Sequence, residues 1–270
     1  MERTAIETRK KIIEALVKDL KNRFKLKNYK FDVKFGYVDE TDAKIIVEKD
    51  KPLNHLYIII DEVTIQFQPI ERVVDTILHE FTHIYCADRY SGVFAIAMPC
   101  PDDENSKLHF LNIVFNNIIM GAQEVVTNTI MYKLFPFNAK RYFEETFRIL
   151  GTTSHFILPD FVLTNIILTT KLLVTLLSHI IPVKLFNIII DLITVEFIER
   201  EYLKPYKTLI EKTTSVTIEA LRREDYIEAF KAFANNLSRE LLGIEIELAK
   251  IRVVDPVTAK EFETHCIRVK

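Results

Sequence analysis

Tryptophan is absent from this chain of 270 residues, glycine occurs only five times and cysteine three times. So little glycine, beside nine prolines, excludes collagen-like and low-complexity chains, and three cysteines are too few to frame a disulfide-built scaffold. Charge of one sign is also lacking: 36 basic residues against 38 acidic ones leave a net charge of -2, so nothing global favours nucleic acid or another polyanion as partner. Cys86, Cys100 and Cys266 are widely spaced and form no CxxC pair, which makes a reducing cytosol the simplest setting and a cytoplasmic location the expectation. The opening segment MERTAIETRKKIIEALVKDLKNRFK carries charges throughout and no apolar core, unlike a secretory signal or a membrane anchor.

What is present is the composition of a globular chain, 49% hydrophobic and 27% charged, with enough length for a full core. Glutamine is scarce while Ile, Lys and Glu are abundant, a composition also found in hyperthermophiles. Ile6, Ile13, Leu16, Val17, Leu20 and Phe24 recur at helical spacing with most basic residues off that stripe, which predicts a basic amphipathic helix. Short runs at Phe31 to Tyr37, Ala43 to Glu48 and Leu56 to Ile60 predict a small three-stranded sheet. From Pro69, the segment PIERVVDTILHEFTHIYCADRY predicts one long helix, and Leu108 to Leu134 a second. Beyond Pro136 the chain reads as mainly helical, closing in strand-like runs at Ile251 to Val254 and Thr264 to Val269. The expected class is therefore α+β, with a boundary near residue 136 between a core (1–136) and a mainly helical second part (137–270).

Residues 161–183 reach spanning length with one charge, Lys171. That lysine, Asn165, Ser178, His179, Pro182 and four threonines offset the apolar gain of insertion, so a buried core helix is the preferred reading. The following segment, VKLFNIIIDLITVEFIERE, reads the same way.

The chemistry lies in His79-Glu80-Phe81-Thr82-His83, an HExxH pattern inside the predicted long helix. Four residues span little more than one helical turn, so both imidazoles can reach one zinc ion (Zn2+) at about 2.0–2.1 Å. Glu80 lies about 100° round the helix, poorly placed as a third ligand but suited to act as general base toward an attacking water. A catalytic zinc site usually adds a third protein ligand. Glu124 on the second helix is the preferred candidate, with His109 and Cys86 as rivals, and Asn128 one turn on could accept the other ring N–H of a ligand histidine. Gly121 is expected to let the two helices approach closely. A metzincin would carry Gly at position 86 and His at position 89, where this chain has Cys86 and Arg89.

HEFTH followed by Glu124-x-x-x-Asn128 resembles the gluzincin branch of the zincin metallopeptidases, and the run EVVTNTIMYKLFP is loosely similar to the ImmA/IrrE-type regulatory peptidases. The resemblance covers about residues 30 to 136. It implies a minimal zincin core, peptide-bond hydrolysis and zinc held by His79, His83 and Glu124, with Glu80 as catalytic base. It further implies an edge strand that pairs with substrate backbone, for which Ala43 to Glu48 or Leu56 to Ile60 would serve. An oxyanion-stabilising residue stays open among Tyr132, His155, His179 and His265. A protein or peptide substrate is the expected partner, and no nucleic acid. The competing readings are an inactive zincin-fold metal-binding module for proteins and a membrane-associated peptidase.

Overall fold

Helix α1 (Arg3–Arg23) buries Ile13, Val17 and Leu20, with Phe24 just past its end on the same stripe. The structure, a computed structural model, describes residues 3–38, 43–48, 50–143, 162–180 and 203–270. Strands β1 (Lys30–Gly36), β2 (Ala43–Val47) and β3 (His55–Asp61) form a sheet in the order β1-β3-β2, with β1 parallel and β2 antiparallel to β3. A short helix α2 (Glu62–Phe67) follows at once, started by the Asp61 carboxylate, which accepts from Thr64 N at 2.9 Å. Its β-branched run Val63-Thr64-Ile65 gives no helical signal, and the sequence does not announce it. Arg9 closes its far end by donating to the Ile65 and Gln68 carbonyls, each at 2.7 Å.

Helix α3 (Ile70–Arg89) carries Val73, Ile77, Phe81 and Ile84 into the cluster formed by α1 and the sheet. Fully burying each such side chain contributes about 1.5–3 kcal/mol, so this stripe fixes the rotation of the helix and directs Asp75, His79 and His83 elsewhere. The single helix expected over Leu108 to Leu134 is two: α4 (Glu104–His109) and α5 (Ile113–Leu134). Asn112 separates them, its side chain accepting from Val114 N at 2.8 Å and Phe115 N at 3.3 Å as the cap of α5.

Helix α6 (Val162–Ile180) occupies most of the apolar segment and is buried on more than its apolar stripe, for Asn165 and Thr175 are enclosed as well. Among the described residues no helix is long and apolar enough to cross a membrane. The run at 183–201 and His155 lie outside the described residues. Helices α7 (Lys207–Arg222) and α8 (Tyr226–Leu242) then lead to an antiparallel hairpin of β4 (Ile246–Val254) and β5 (Glu261–Val269). The architecture is thus mixed α and β. One apolar cluster gathers α1, the first sheet and α3; the other gathers α6, α7, α8 and the hairpin, and α5 contributes to both.

Cys100 and Cys266, 166 positions apart in the sequence, form a disulfide with Cα atoms 4.9 Å apart, and Cys86 is free and buried. The wide spacing that pointed to a reducing compartment concealed a pair that only the fold unites. The same bond ties the loop before α4 to β5, where Cys100 N donates to Ile267 O at 3.0 Å and Ile267 N to Met98 O at 2.9 Å.

Candidate metal centre

His79 and His83 stand one turn apart on α3, and α5 passes close enough for Glu124 to reach both. Nε2 of His83 lies 3.2 Å from Nε2 of His79 and 3.2 Å from Glu124 Oε1, and Nε2 of His79 lies 3.4 Å from the same oxygen. Donors bound to zinc at about 2.0–2.1 Å in a tetrahedron stand about 3.3 Å from one another, so the three atoms have the spacing that the ion requires. They are the one group of His, Cys, Asp and Glu side chains among the described residues disposed to hold a metal.

The supports of these side chains come from four places. The Phe94 carbonyl sits 2.7 Å from His83 Nδ1 and can only accept, so Nδ1 carries a proton and Nε2 can present its lone pair to the cluster. Thr127 Oγ1 reaches the same Nδ1 at 3.1 Å, and Gln123 donates to the Val93 carbonyl at 2.6 Å, which fixes the turn at Gly92–Phe94 against α5. Asp75, one turn before His79 and 2% exposed, accepts from Asn138 at 2.7 Å and from two nitrogens of Arg141 at 2.5 and 2.7 Å. That clamp holds the helical stretch 136–143 on α3 and lays the Tyr142 ring over His79, centroids 4.8 Å apart and planes 16° from parallel.

Electrostatics agree with a cation-seeking site. Burial opposes ionisation of Glu124, yet the charges of His79 and Lys171 and hydrogen bonds from both histidines hold its carboxyl well below the usual range. Burial likewise opposes protonation of His83, but Glu124 beside it raises the imidazole to about 9. A cluster that retains a proton against burial is one that attracts positive charge. Burial pushes the Glu80 carboxyl up, against the charges of His83 and His79 and with that of Glu124. A carboxylate so raised is suited to accept a proton.

Glu80, His79 and Glu124 line a cavity of about 970 Å³ together with the start of β2, the face of α5 at Asn117 to Gly121, and α6 at Thr164, Ile167, Leu168 and Lys171. Strand β3 is paired on both sides and can accept no further strand, which leaves β2, unpaired on its outer side among the described residues and reaching the cavity through Ala43, as the candidate edge.

The other sequence candidates fall elsewhere. Cys86 is a core residue whose thiol burial pushes far up. His109 packs near Phe115 at the end of α4. Asn128, one turn after Glu124 on α5, is buried, but its Oδ1 has no hydrogen-bond partner among the described residues, and Nδ1 of His79 has none either. The ring nitrogen contact expected of Asn128 is made by Thr127 and the Phe94 carbonyl to His83. Gly121 gives room not to α3 but to α8 and α6, since a Cβ there would stand 2.9 Å from the Phe233 ring and 3.3 Å from Ile167. His265 bonds Ser91 Oγ at 2.8 Å, and Tyr132 packs on the first cluster. Phe94, Thr127, Tyr142 and Lys171 escaped the sequence reading; only Lys171, the lone charge of an apolar helix, carried a signal.

Compared with known proteins, the chain matches no family model, no curated protein and no solved structure.

Proposed function

We propose that the chain is a zinc-dependent metallopeptidase of the zincin type, a hydrolase in which His79, His83 and Glu124 hold Zn2+ and Glu80 serves as general base. The observation that carries this reading is the convergence of two imidazole nitrogens and a carboxylate oxygen at 3.2–3.4 Å on a cavity that the half-buried Glu80 carboxylate also lines. The order of α1, a three-stranded sheet, the HExxH helix and a glutamate-bearing helix supports the finer, gluzincin-like reading. When bound, zinc polarises a carbonyl and lowers the pKa of water to about 7. The chain's part is to place Glu80 where it accepts the proton of the attacking water, and to offer the outer side of β2 to the substrate backbone. Peptide or protein is the substrate class, and residues 1–136 with the helical remainder packed on them are the proposed division of the chain.

A cytoplasmic location belongs to the proposal only together with the hyperthermophile-like composition, because intracellular disulfides are common in hyperthermophiles and rare in other cytosols.

The test combines metal content and hydrolysis. About one zinc per chain is expected, lost in His79→Ala and Glu124→Ala, while Glu80→Gln keeps the metal and loses cleavage of an unfolded protein such as casein. Full zinc content in both His79→Ala and Glu124→Ala would remove the site, and unchanged cleavage by Glu80→Gln would remove the base.

A further inference from the structure

Helix α6 runs for nineteen residues, and Lys171 is the one Lys, Arg, Asp or Glu among them. Thr164, Ile167, Leu168 and Lys171 follow the i, i+3, i+4, i+7 spacing of one helical face, and all four line the cavity of the metal centre. An ammonium on an otherwise apolar, largely buried helix is costly unless it meets a counter-charge. Three cations line the cavity. Arg141 is committed to Asp75 and to the Glu71 carbonyl, and Arg72 also has a partner. Lys171 has neither a hydrogen bond nor an ion pair among the described residues, and it lines the same cavity as Glu124 and His79. Its charge therefore stands in the cavity with the candidate metal ligands.

We propose that Lys171 binds a carboxylate of the peptide substrate and so selects substrates with a negative group next to the bond that is cut. This inference rests on the metallopeptidase reading and names its substrate class. A single carboxylate suits the surroundings better than a phosphoryl group, because Asp61, Glu71, Asp75, Glu80 and Glu124 line the same space and repel a multiply charged anion. One ammonium, a compact charge with three donors, balances one carboxylate. Ile167 and Leu168, one turn before Lys171, make the adjoining wall apolar, so the side chain beside the bound carboxylate is apolar as well. The carboxylate has two sources, the free C-terminus of a peptide or an Asp or Glu side chain.

The experiment uses the full chain with Glu80→Gln, so that bound peptides persist, and three pools of N-terminally dansylated hexapeptides of Ala, Leu and Phe. The first pool ends in a free carboxylate, the second in a carboxamide, and the third in a carboxamide with one internal Glu. Fluorescence titration is expected to show the first or third pool binding roughly 10-fold or more tighter than the second, the usual size of a charge-assisted hydrogen bond. Which pool wins identifies the source. Adding Lys171→Met should erase the difference while the carboxamide pool binds as before, and Lys171→Arg should retain part of it. So that the test does not depend on Lys171→Met folding normally, the salt dependence of the preference is measured without it, and the preference should shrink as salt rises. Equal binding of all three pools, or an equal loss of all three in Lys171→Met, overturns the role of Lys171. Casein cleavage by the unsubstituted chain without a carboxylate preference leaves the peptidase standing and removes this inference; a carboxylate preference without cleavage of any substrate removes the peptidase and leaves Lys171 only as a carboxylate-binding residue.

Discussion

The Nδ1–H of His83 donates to the main-chain carbonyl of Phe94 across 2.7 Å, so the tautomer of one candidate ligand depends on a turn eleven residues further along the chain. That turn leans on β5. Ser91 Oγ lies 2.8 Å from His265 Nδ1, Gly92 packs against Thr264, and the Cys100–Cys266 disulfide closes the loop a few residues on. A continuous set of contacts thus runs from the C-terminal hairpin to the candidate metal site.

On the zinc reading, reducing that disulfide, or replacing both partners in Cys100→Ser with Cys266→Ser, is expected to weaken zinc binding by about 10-fold through loss of the Phe94 hydrogen bond, the lower end of the effect of outer supports of metal ligands. The same change should lower global stability by about 2–5 kcal/mol, because the bridge closes a long loop in the unfolded chain. Zinc competition against a chromophoric chelator, run well below the unfolding temperature, separates the two effects. Unchanged affinity alongside reduced stability would show that the turn keeps its place without the bond.

Gly92→Ala places a Cβ into Thr264 Oγ1, and one of the two strands of chain must give way. A loss of about 1–3 kcal/mol in urea unfolding is expected, as for other overpacked sites. Thr264→Ala removes the obstructing oxygen, itself buried without a hydrogen-bond partner among the described residues, so the double variant should recover most of the loss. Additive losses in the two variants would place the strain elsewhere.

Arg141→Met leaves the Asp75 carboxylate, 2% exposed, with Asn138 as its remaining side-chain partner. Stripping a buried charge of its partner is expected to cost about 2–4 kcal/mol in unfolding experiments and to free Tyr142 from His79. Replacing the pair together, Asp75→Leu with Arg141→Met, should cost less than Arg141→Met alone, since no uncompensated charge stays behind. A double variant weaker than the single one would mean that the pair holds the stretch 136–143 by more than charge balance.

Periodicity made much of the scaffold legible. Ile13, Val17, Leu20 and Phe24 repeat at helical spacing because one face of α1 meets a core, and the same logic gave α3 and the packing of Phe31, Val33 and Phe35 of β1 on that core. The helix break at Asn112 was harder to read, since asparagine acts as a cap only when its side chain turns back to the next amides. The HExxH spacing is local and needs nothing but helical geometry. The supports of the site are not local: Phe94 acts through its carbonyl, which every residue type possesses, Tyr142 through a clamp 66 residues from its anchor, and Cys100 through a partner 166 residues away. Gly121 was read as a contact point between α3 and α5 because sequence shows that a glycine leaves space but not which neighbour fills it. Here Phe233 does.

Nδ1 of His79 and Oδ1 of Asn128 are both buried, and both lack a hydrogen-bond partner among the described residues. One is able to donate and the other only accepts, so the two are chemically matched. On the proposed reading zinc binding pairs them, because it commits His79 Nε2 to the metal and its proton to Nδ1. The prediction has two opposite signs. Asn128→Leu removes an unsatisfied carbonyl from the metal-free chain and should stabilise it by about 1 kcal/mol, because an orphaned buried polar group costs about 1–3 kcal/mol. The same substitution should weaken zinc binding by roughly 10- to 100-fold, because the metal-bound His79 then has no acceptor for its ring N–H. Asn128→Asp, which keeps the acceptor, should restore the affinity. Thermal unfolding with and without chelator and a zinc titration read both signs. A variant destabilised in the metal-free state with unchanged zinc affinity would make Asn128 an ordinary core residue, and the polar atom of His79 would then need another partner.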